Sequence, residues 1–339
     1  MKNNSFDQPY KMAGLFTLSL RLVVGWTYFS AFWRRVALEN KLNPEEAGYI
    51  GEKFNHFLPN ALGIKPLIEY LVTHPDALWW AMVAFTIIEG IVGLFIMLGL
   101  FTRLMSIGVF SLAMGILLGS GWIGTTCLDE WQIGVLGIAT GFTLFLSGSS
   151  SYSLDQYFMD KKLNFTHKKW FSWLGSGAIP IKNPKPIVLA GALGILGLTL
   201  YTNQYFHGGV YGTLHNKSVR PKLELSNTNL DNDELQFEVY RTEGADVYGS
   251  FLIGIQLLDR NGDVLLDKNG ADLAAFPKHN IDNHYVAKVK PGKHSLIIPL
   301  GAKADLTLDM QGIDLSSNGP FTLKLIDISG LEWEREIKK

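Results

Sequence analysis

The sequence holds one cysteine in 339 residues. That excludes an intrachain disulfide framework, a Cys-x-x-Cys redox pair and an iron–sulfur cluster held by this chain alone. Charge is scarce in the first part: 27 of residues 1–203 are Asp, Glu, Lys or Arg, about 13%, against 34 of the 136 residues that follow, 25%. The second density is that of an ordinary soluble domain and the first is half of it, so one soluble globule is excluded. With 30 Lys plus Arg against 31 Asp plus Glu, the chain has no basic field for nucleic acid. It also lacks a phosphate loop, a dinucleotide glycine fingerprint and a haem-attachment Cys-x-x-Cys-His. No metal or flavin is expected.

What the first part has instead is apolar runs, at 13–33, 77–101, 104–118, 131–146 and 186–201. A helix needs roughly 20 apolar residues to cross a bilayer. The first two runs qualify directly, and the others do so with flanking Gly, Ser, Thr and Trp, which predicts five spanning helices. Glycines at 108, 115, 119, 134, 137, 141, 191, 194 and 197 would let helices approach closely in lipid. Lys and Arg set the orientation. With the N-terminus inside, nine basic residues (Lys2, Lys11, Arg103, Lys161, Lys162, Lys168, Lys169, Lys182, Lys185) face the cytoplasm, against five outside (Arg34, Arg35, Lys41, Lys53, Lys65). An odd number of helices then puts residues 204–339 on the extracytoplasmic side of the cytoplasmic (inner) membrane. Trp79, Trp80, Trp122 and Trp131 are expected to form the outer aromatic belt. The first run has no small-residue cleavage site after Phe32-Trp33-Arg34-Arg35, so it is read as a retained helix.

From Lys222 onward the pattern changes to short β-rich runs, at 222–226, 235–241, 249–259, 263–268, 284–289, 294–299, 304–310 and 320–328. Asn261-Gly262, Asn269-Gly270, Pro291-Gly292 and Asn318-Gly319-Pro320 punctuate them. These features predict an all-β immunoglobulin-like sandwich, with Asn261-Gly262 as its best-marked hairpin. Residues 163–180, with Trp170 and Trp173 among lysines, are read as a plain cytoplasmic loop or an interfacial segment.

Several residues carry chemistry. Cys127 stands in Thr125-Thr126-Cys127-Leu128-Asp129-Glu130-Trp131, at the expected start of the fourth helix. The positive end of the helix dipole there favours a thiolate; a small buried hydrophobe is the plain alternative. Asp129 and Glu130 fall in that helix's first turn, as caps or as proton carriers. Arg34 and Arg35 end the first helix on the outer face, against the positive-inside tendency. They can bind an anion through charge-assisted bonds or snorkel to headgroups. Arg21 and Arg35 are 14 apart, near four helical turns, and share a face with Gly25, Tyr28 and Phe32. Arg21 and Glu89 are the charges inside the hydrocarbon region, where each costs about 2.5–3.5 kcal/mol unless it faces the bundle interior. Counted from the inner ends, their levels differ by roughly 6 Å, so they are expected to pair, either structurally or as a polar site for a lipid-soluble redox carrier. His279, Asp282 and His284 lack a further close ligand, and His207 and His215 flank a glycine-rich junction at 204–220 that would lie on the outer membrane surface.

Arg21, Gly25-Trp26, Trp33-Arg34-Arg35, Glu89-Gly90 and Gly99-Leu100-Phe101-Thr102-Arg103 resemble the DoxX/DoxD membrane superfamily. Cys127-Leu128-Asp129-Glu130-Trp131 looks like DoxD, the large membrane subunit of thiosulfate:quinone oxidoreductase. The tail from His207-Gly208-Gly209-Val210-Tyr211-Gly212 resembles DoxA, its partner subunit. The chain is thus similar to a fused DoxD–DoxA protein. The resemblance implies a DoxD-like four-helix transmembrane domain at 1–160, a basic cytoplasmic loop at 161–185, a fifth transmembrane helix at 186–203 and a DoxA-like extracytoplasmic β-sandwich at 204–339. It implies oxidation of two thiosulfates to tetrathionate at the outer face, with two electrons passing to membrane quinone, ubiquinone or menaquinone, as the accepting substrate. Cys127 would then add to the quinone ring, receive thiosulfate as a mixed disulfide and be released by a second thiosulfate. Asp129 and Glu130 join it as catalytic residues; Arg34, Arg35, His207 and His215 bind substrate; Arg21, Glu89, Trp33 and Trp131 hold quinone. A non-catalytic membrane module, a quinone-linked enzyme for another sulfur or thiol substrate, and a homo-oligomer stay open.

Overall fold

The computed structural model describes residues 9–46, 48–124, 129–231, 234–245, 250–315 and 320–337. They form an N-terminal helical region followed by an all-β domain, and divide into two compact units.

The helical unit is built from α1 (Pro9–Phe16), α2 (Leu18–Trp33), α5 (Pro75–Leu98), α6 (Thr102–Ser120), α7 (Asp129–Ser147), α8 (Leu154–Asp160), α9 (Lys169–Leu174) and α10 (Lys185–His207). Among the described residues, α5, α6 and α10 are each long and apolar enough to cross a membrane. The first apolar run is not one straight helix as expected: it breaks at Thr17, where α1 and α2 meet at 48°. The Thr17 hydroxyl bonds the Ala13 carbonyl at 3.1 Å and Ser147 at 3.2 Å, an insertion of the kind that bends helices. Taken as one span, the bent pair would make a fourth. The fourth run forms α7 but falls short of the same criterion, because Asp129, Glu130 and Gln132 occupy its first turn.

Small residues set the helix spacing, as expected for lipid. A methyl group on Gly134, Gly137 or Gly141 of α7 would come within 2.6–2.8 Å of Leu117, Ala113 or Phe110 of α6. Gly25 and Gly93 do the same between α2 and α5. Gly115, Gly194 and Gly197, by contrast, meet nothing within 4 Å, so that part of the glycine pattern is not explained by packing. Residues 163–180 are not a plain loop: a 3₁₀ turn and α9 form there, with Phe171 buried and Trp170 and Trp173 exposed.

The second unit is a two-sheet sandwich plus α3 (Glu52–Phe57), α4 (Lys65–Thr73) and residues 122–124. One sheet contains β1 (Lys222–Leu230), β2 (Glu234–Glu243), β8 (Lys303–Asp309) and β5 (Ile281–Asn283) in that order. The other orders β10 (Glu332–Ile337), β9 (Phe321–Asp327), β3 (Ser250–Leu258), β7 (Leu296–Ile298) and β6 (Lys290–Pro291), with β4 (Val264–Asn269) also on β3. Alternating apolar residues of both sheets fill the core, among them Phe237, Val239, Leu306, Ile255, Leu257, Phe321 and Leu323. The Asn261-Gly262 hairpin joins β3 to β4, with Gly262 at φ +87° and the Asp259 amide bonded to the Asp263 carbonyl at 2.9 Å.

Two strand expectations are corrected. Residues 284–289 keep the expected alternation, with Tyr285, Ala287 and Val289 buried, but are not a strand. His284 still donates to the Lys303 carbonyl at 2.9 Å, but beyond it the Ala287 amide goes to Asn55 Oδ1 at 3.1 Å and the Val289 amide to Asn283 Oδ1 at 2.7 Å, so side chains replace the ladder there. β10 was not expected, because Glu332, Glu334, Arg335 and Glu336 give it the charged face of an edge strand.

Residues 51–74 of the loop between the first two apolar runs are part of this unit. Phe54, Phe57, Leu58, Ile64, Ile68 and Val72 cluster with Tyr240, Tyr285 and Val286 of the sandwich. Asn55 Nδ2 donates to the Gly301 carbonyl at 2.9 Å, and the Tyr285 hydroxyl donates to Glu69 at 3.0 Å. Burial, then the Glu69 hydrogen bond, push the Tyr285 phenol well above its ordinary range. Trp122 belongs here too: it is 1% exposed, with Nε1 on the Phe57 carbonyl at 3.1 Å. It is therefore a core residue of this unit and not a belt tryptophan, because its ring and its one donor are both satisfied by protein. Trp80 is 66% exposed.

Candidate functional site

The helical unit carries buried charge at two levels of α2. Its period puts Arg21, Gly25 and Tyr28 on the buried face, as expected. After Trp33 the helix widens into a π turn, Arg34–Leu38, closed by Glu39 N on the Arg34 carbonyl. This turn holds both arginines. Arg35 pairs with Glu89 of α5, and its guanidinium carbon lies 5.8 Å above the Phe85 ring. The Glu89 side chain is 5% exposed, so the ion pair sits in the bundle and not in water.

The expected Arg21–Glu89 pair is therefore corrected. Arg21 bonds the Tyr152 carbonyl at 2.7 Å through Nη2, and it lies against Gly99, just past the end of α5. The expected pairing counts depth along a straight first helix. The bend at Thr17 instead leaves Arg21 level with Gly99, just past the end of α5, and Arg35 takes Glu89.

Around Glu89, Thr86 lies one turn earlier on the same helix, fully buried, with Oγ1 lacking a hydrogen-bond partner. Tyr28 and Arg34 are both within electrostatic reach of Glu89. Arg34 is exposed, and its Nε makes a 3.3 Å bond to the Ser30 carbonyl. A buried carboxylate with one cationic partner, beside an unused hydroxyl, can exchange a proton and receive a polar ligand atom. Thr86 carried no sequence signal beyond its place three residues before Glu89.

The other candidates lie elsewhere. Asp129 and Glu130 open α7, Asp129 exposed and Glu130 half-buried and engaged. Trp131 ties α7 to α10 through Nε1 on Thr202 Oγ1 at 3.0 Å, and Trp33 is 46% exposed. His207 is buried at the end of α10 with Nε2 on the Gly121 carbonyl at 3.0 Å, and the exposed His215 returns its amide to the His207 carbonyl. Cys127 lies outside the described residues. In the sandwich, His284 meets neither His279 nor Asp282. It pairs with Asp305 at 2.7 Å and lies 3.9 Å from Glu238. Those three could hold a metal ion, but Lys303 already stands 2.9 Å from Glu238 and supplies the compensating charge.

Two family models match the chain: TQO small subunit DoxD over residues 16–182, and TQO small subunit DoxA over residues 206–336. The chain belongs to the DoxD and DoxA families. It carries both in one polypeptide, as a fused DoxD–DoxA protein. Both subunits are described as small, DoxD included, which corrects the large-subunit expectation. DoxD and DoxA are families of thiosulfate:quinone oxidoreductase subunits, and this supports that function for the chain. The Arg35–Glu89 pair falls in the DoxD part, whereas Glu238, His284 and Asp305 fall in the DoxA part.

Proposed function

We propose that this DoxD–DoxA protein oxidises two thiosulfates to one tetrathionate at the outer face of the cytoplasmic membrane and passes the two electrons to membrane quinone. The observation that carries the reading is the presence of both TQO subunit families end to end in one chain. Quinone supplies a two-electron, two-proton acceptor. The fit test is the buried, unpartnered Thr86 hydroxyl one turn from Glu89, a hydrogen-bond donor for a carbonyl oxygen inside the bundle. Thr86, Glu89 and Arg35 would hold the acceptor, with Trp33 at the rim.

The sulfur chemistry runs through Cys127. Its thiolate joins the first thiosulfate as a mixed disulfide while two electrons leave for the acceptor. The second thiosulfate attacks the sulfane sulfur, forms the S–S bond of tetrathionate and returns the thiolate. The overall balance is two thiosulfates, one quinone and two protons in, with one tetrathionate and one quinol out. Glu89 handles the protons, and Asp129 and Glu130 feed them from the outer surface. Arg34, which makes no ion pair among the described residues, attracts the dianion. Arg35 can join it only when Glu89 holds a proton, which couples anion binding to proton uptake.

The test is thiosulfate-dependent reduction of a soluble quinone analogue by the detergent-purified chain, with tetrathionate assayed in parallel. Quinol and tetrathionate should form in equal amounts, and Cys127→Ser should abolish both. Turnover retained in Cys127→Ser would overturn the cysteine route. Quinone reduction that prefers another sulfur substrate would overturn the substrate assignment.

A further inference from the structure

At the opposite end of the helical unit from Glu89, a cavity of about 470 Å³ opens between α1, the 151–153 turn and α8. Its position follows from α2: Arg21, about 21 Å along the helix from Arg35, holds the carbonyl of Tyr152, and Tyr152 lines the cavity. The polar groups are of two opposite kinds. Gln156 is 7% exposed; its Nε2 donates to Asp160 Oδ1 at 2.7 Å, while its Oε1 is buried without a partner. Gln156 and Asp160 together therefore present acceptors and negative charge. Lys11 presents the reverse, an ammonium with no carboxylate in ion-pair range among the described residues. The Ser153 hydroxyl has no donor left for a ligand, because it donates to the Ser150 carbonyl at 2.5 Å while accepting from the Gln156 amide at 3.1 Å.

A buried acceptor without a donor demands an N–H or O–H from whatever fills the space. The carboxylate beside it selects a cation, and Lys11 across the same cavity selects an anion. The helix α1 is half of the bent apolar pair, so the cavity lies at the α1 end of that candidate span, where a spanning pair would meet headgroups. We infer that this cavity binds a zwitterionic amino-phosphate group, a primary ammonium linked to a phosphate as in an ethanolamine phospholipid headgroup, with the ammonium on Gln156 Oε1 and Asp160 and the phosphate on Lys11. A choline headgroup carries the charge but no N–H for Gln156. A glycerol headgroup carries hydroxyls but no cation for Asp160. The site is separate from the residues assigned to turnover, so it stands or falls independently of the proposed reaction.

The experiment exchanges the full-length purified chain into micelles doped with phosphatidylethanolamine, phosphatidylcholine or phosphatidylglycerol of identical acyl chains, and counts retained lipid by native mass spectrometry. Phosphatidylethanolamine should be retained at least tenfold over the other two. Lys11→Met and Asp160→Asn, both at accessible positions, should each lower its retention about tenfold, as loss of one charged hydrogen bond does, without changing the melting temperature. Soluble phosphoethanolamine added as competitor distinguishes the sources: displacement only at high excess supports the lipid, and displacement at equal concentration supports a soluble amino-phosphate at the same groups. Equal retention of phosphatidylcholine would overturn the proposal, as would unchanged retention in both variants. Preference for phosphatidylglycerol would reduce the site to a simple cation on Lys11 and also overturn it.

Discussion

The two ends of the DoxD helical unit hold their buried carboxylates in opposite ways. At the end that carries the Gly99–Arg103 turn, Arg103 donates to three carbonyls, Phe145 at 2.9 Å, Ser172 at 2.5 Å and Gly177 at 2.7 Å. Beside it, fully buried Asp155 accepts from the amides of Phe101 and Thr102 at 2.9 and 3.0 Å, from the Thr102 hydroxyl at 2.8 Å and from Ser176 at 2.7 Å. At the other end, Glu89 has one hydrogen-bonded partner, Arg35, and Thr86 beside it has none. A saturated network has no capacity left for a ligand and acts as scaffold. A half-used one keeps that capacity, at a cost in stability that a binding event can offset. Under the proposed function, Asp155 at the Gly99–Arg103 turn is then scaffold and the Arg35–Glu89 pair is where the chemistry would sit, although both rest on family-like sequence motifs.

The largest expected effect comes from breaking the saturated end. Asp155→Ala would strand two buried amides and two hydroxyls at once, each worth about 1–3 kcal/mol when left unmade. The expected outcome is no recoverable folded protein, read as loss of the monodisperse peak on detergent gel filtration. If Asp155→Ala stayed folded and only turnover fell, the assignment of scaffold and site would have to be exchanged.

Glu89→Gln tests the other end. The amide keeps the size and can still accept one hydrogen bond from Arg35, so the fold should survive. Quinone reduction should fall by about a hundredfold or more, the scale of a lost proton-transfer group. Because Arg35 is freed, the thiosulfate KM should stay level or drop. A variant that unfolds like Asp155→Ala would erase the distinction between the two ends.

Parts of this were legible in sequence because local periodicity determines them. Arg21, Gly25 and Tyr28 share a face by helical spacing alone, and Asn261-Gly262 marks its hairpin by its own backbone preferences. Long-range choices were not legible. The Arg21–Glu89 pairing failed because depth along α2 cannot be counted through a bend that a Thr17 hydroxyl helps make. Asp155 and Thr102 are 53 residues apart, and nothing local to either names the other. The docking of residues 51–78 on the sandwich had a signal that the acidic composition of the loop obscured: Ile64, Ile68 and Val72 recur every four residues, the stripe of an amphipathic helix that needs a partner. Cys127 lies outside the described residues, so its role rests on the proposed chemistry alone.

The DoxA part offers a third buried carboxylate against which to grade the first two. Glu238 accepts from Ser226 at 2.6 Å and Asn227 at 3.3 Å, and pairs with Lys303 at 2.9 Å. It is saturated like Asp155, but on the face of a sheet and not inside a bundle. Burial alone would raise its pKa; the Ser226 and Lys303 hydrogen bonds and the charges of Lys303 and His284 outweigh that and hold it below the usual carboxylate range. A carboxylate with a lowered folded pKa contributes stability above the unfolded pKa and loses it as pH falls through the folded value. Glu238→Gln should therefore lower stability by about 1–2 kcal/mol near neutral pH, followed as thermal unfolding by tryptophan fluorescence. The gap to the parent should close as pH falls below the carboxylate range, because the parent's carboxyl is then protonated as well. A gap that stayed constant into acid would mean that Glu238 stabilises by shape and packing. Charge saturation would then not be what separates scaffold carboxylates from Glu89.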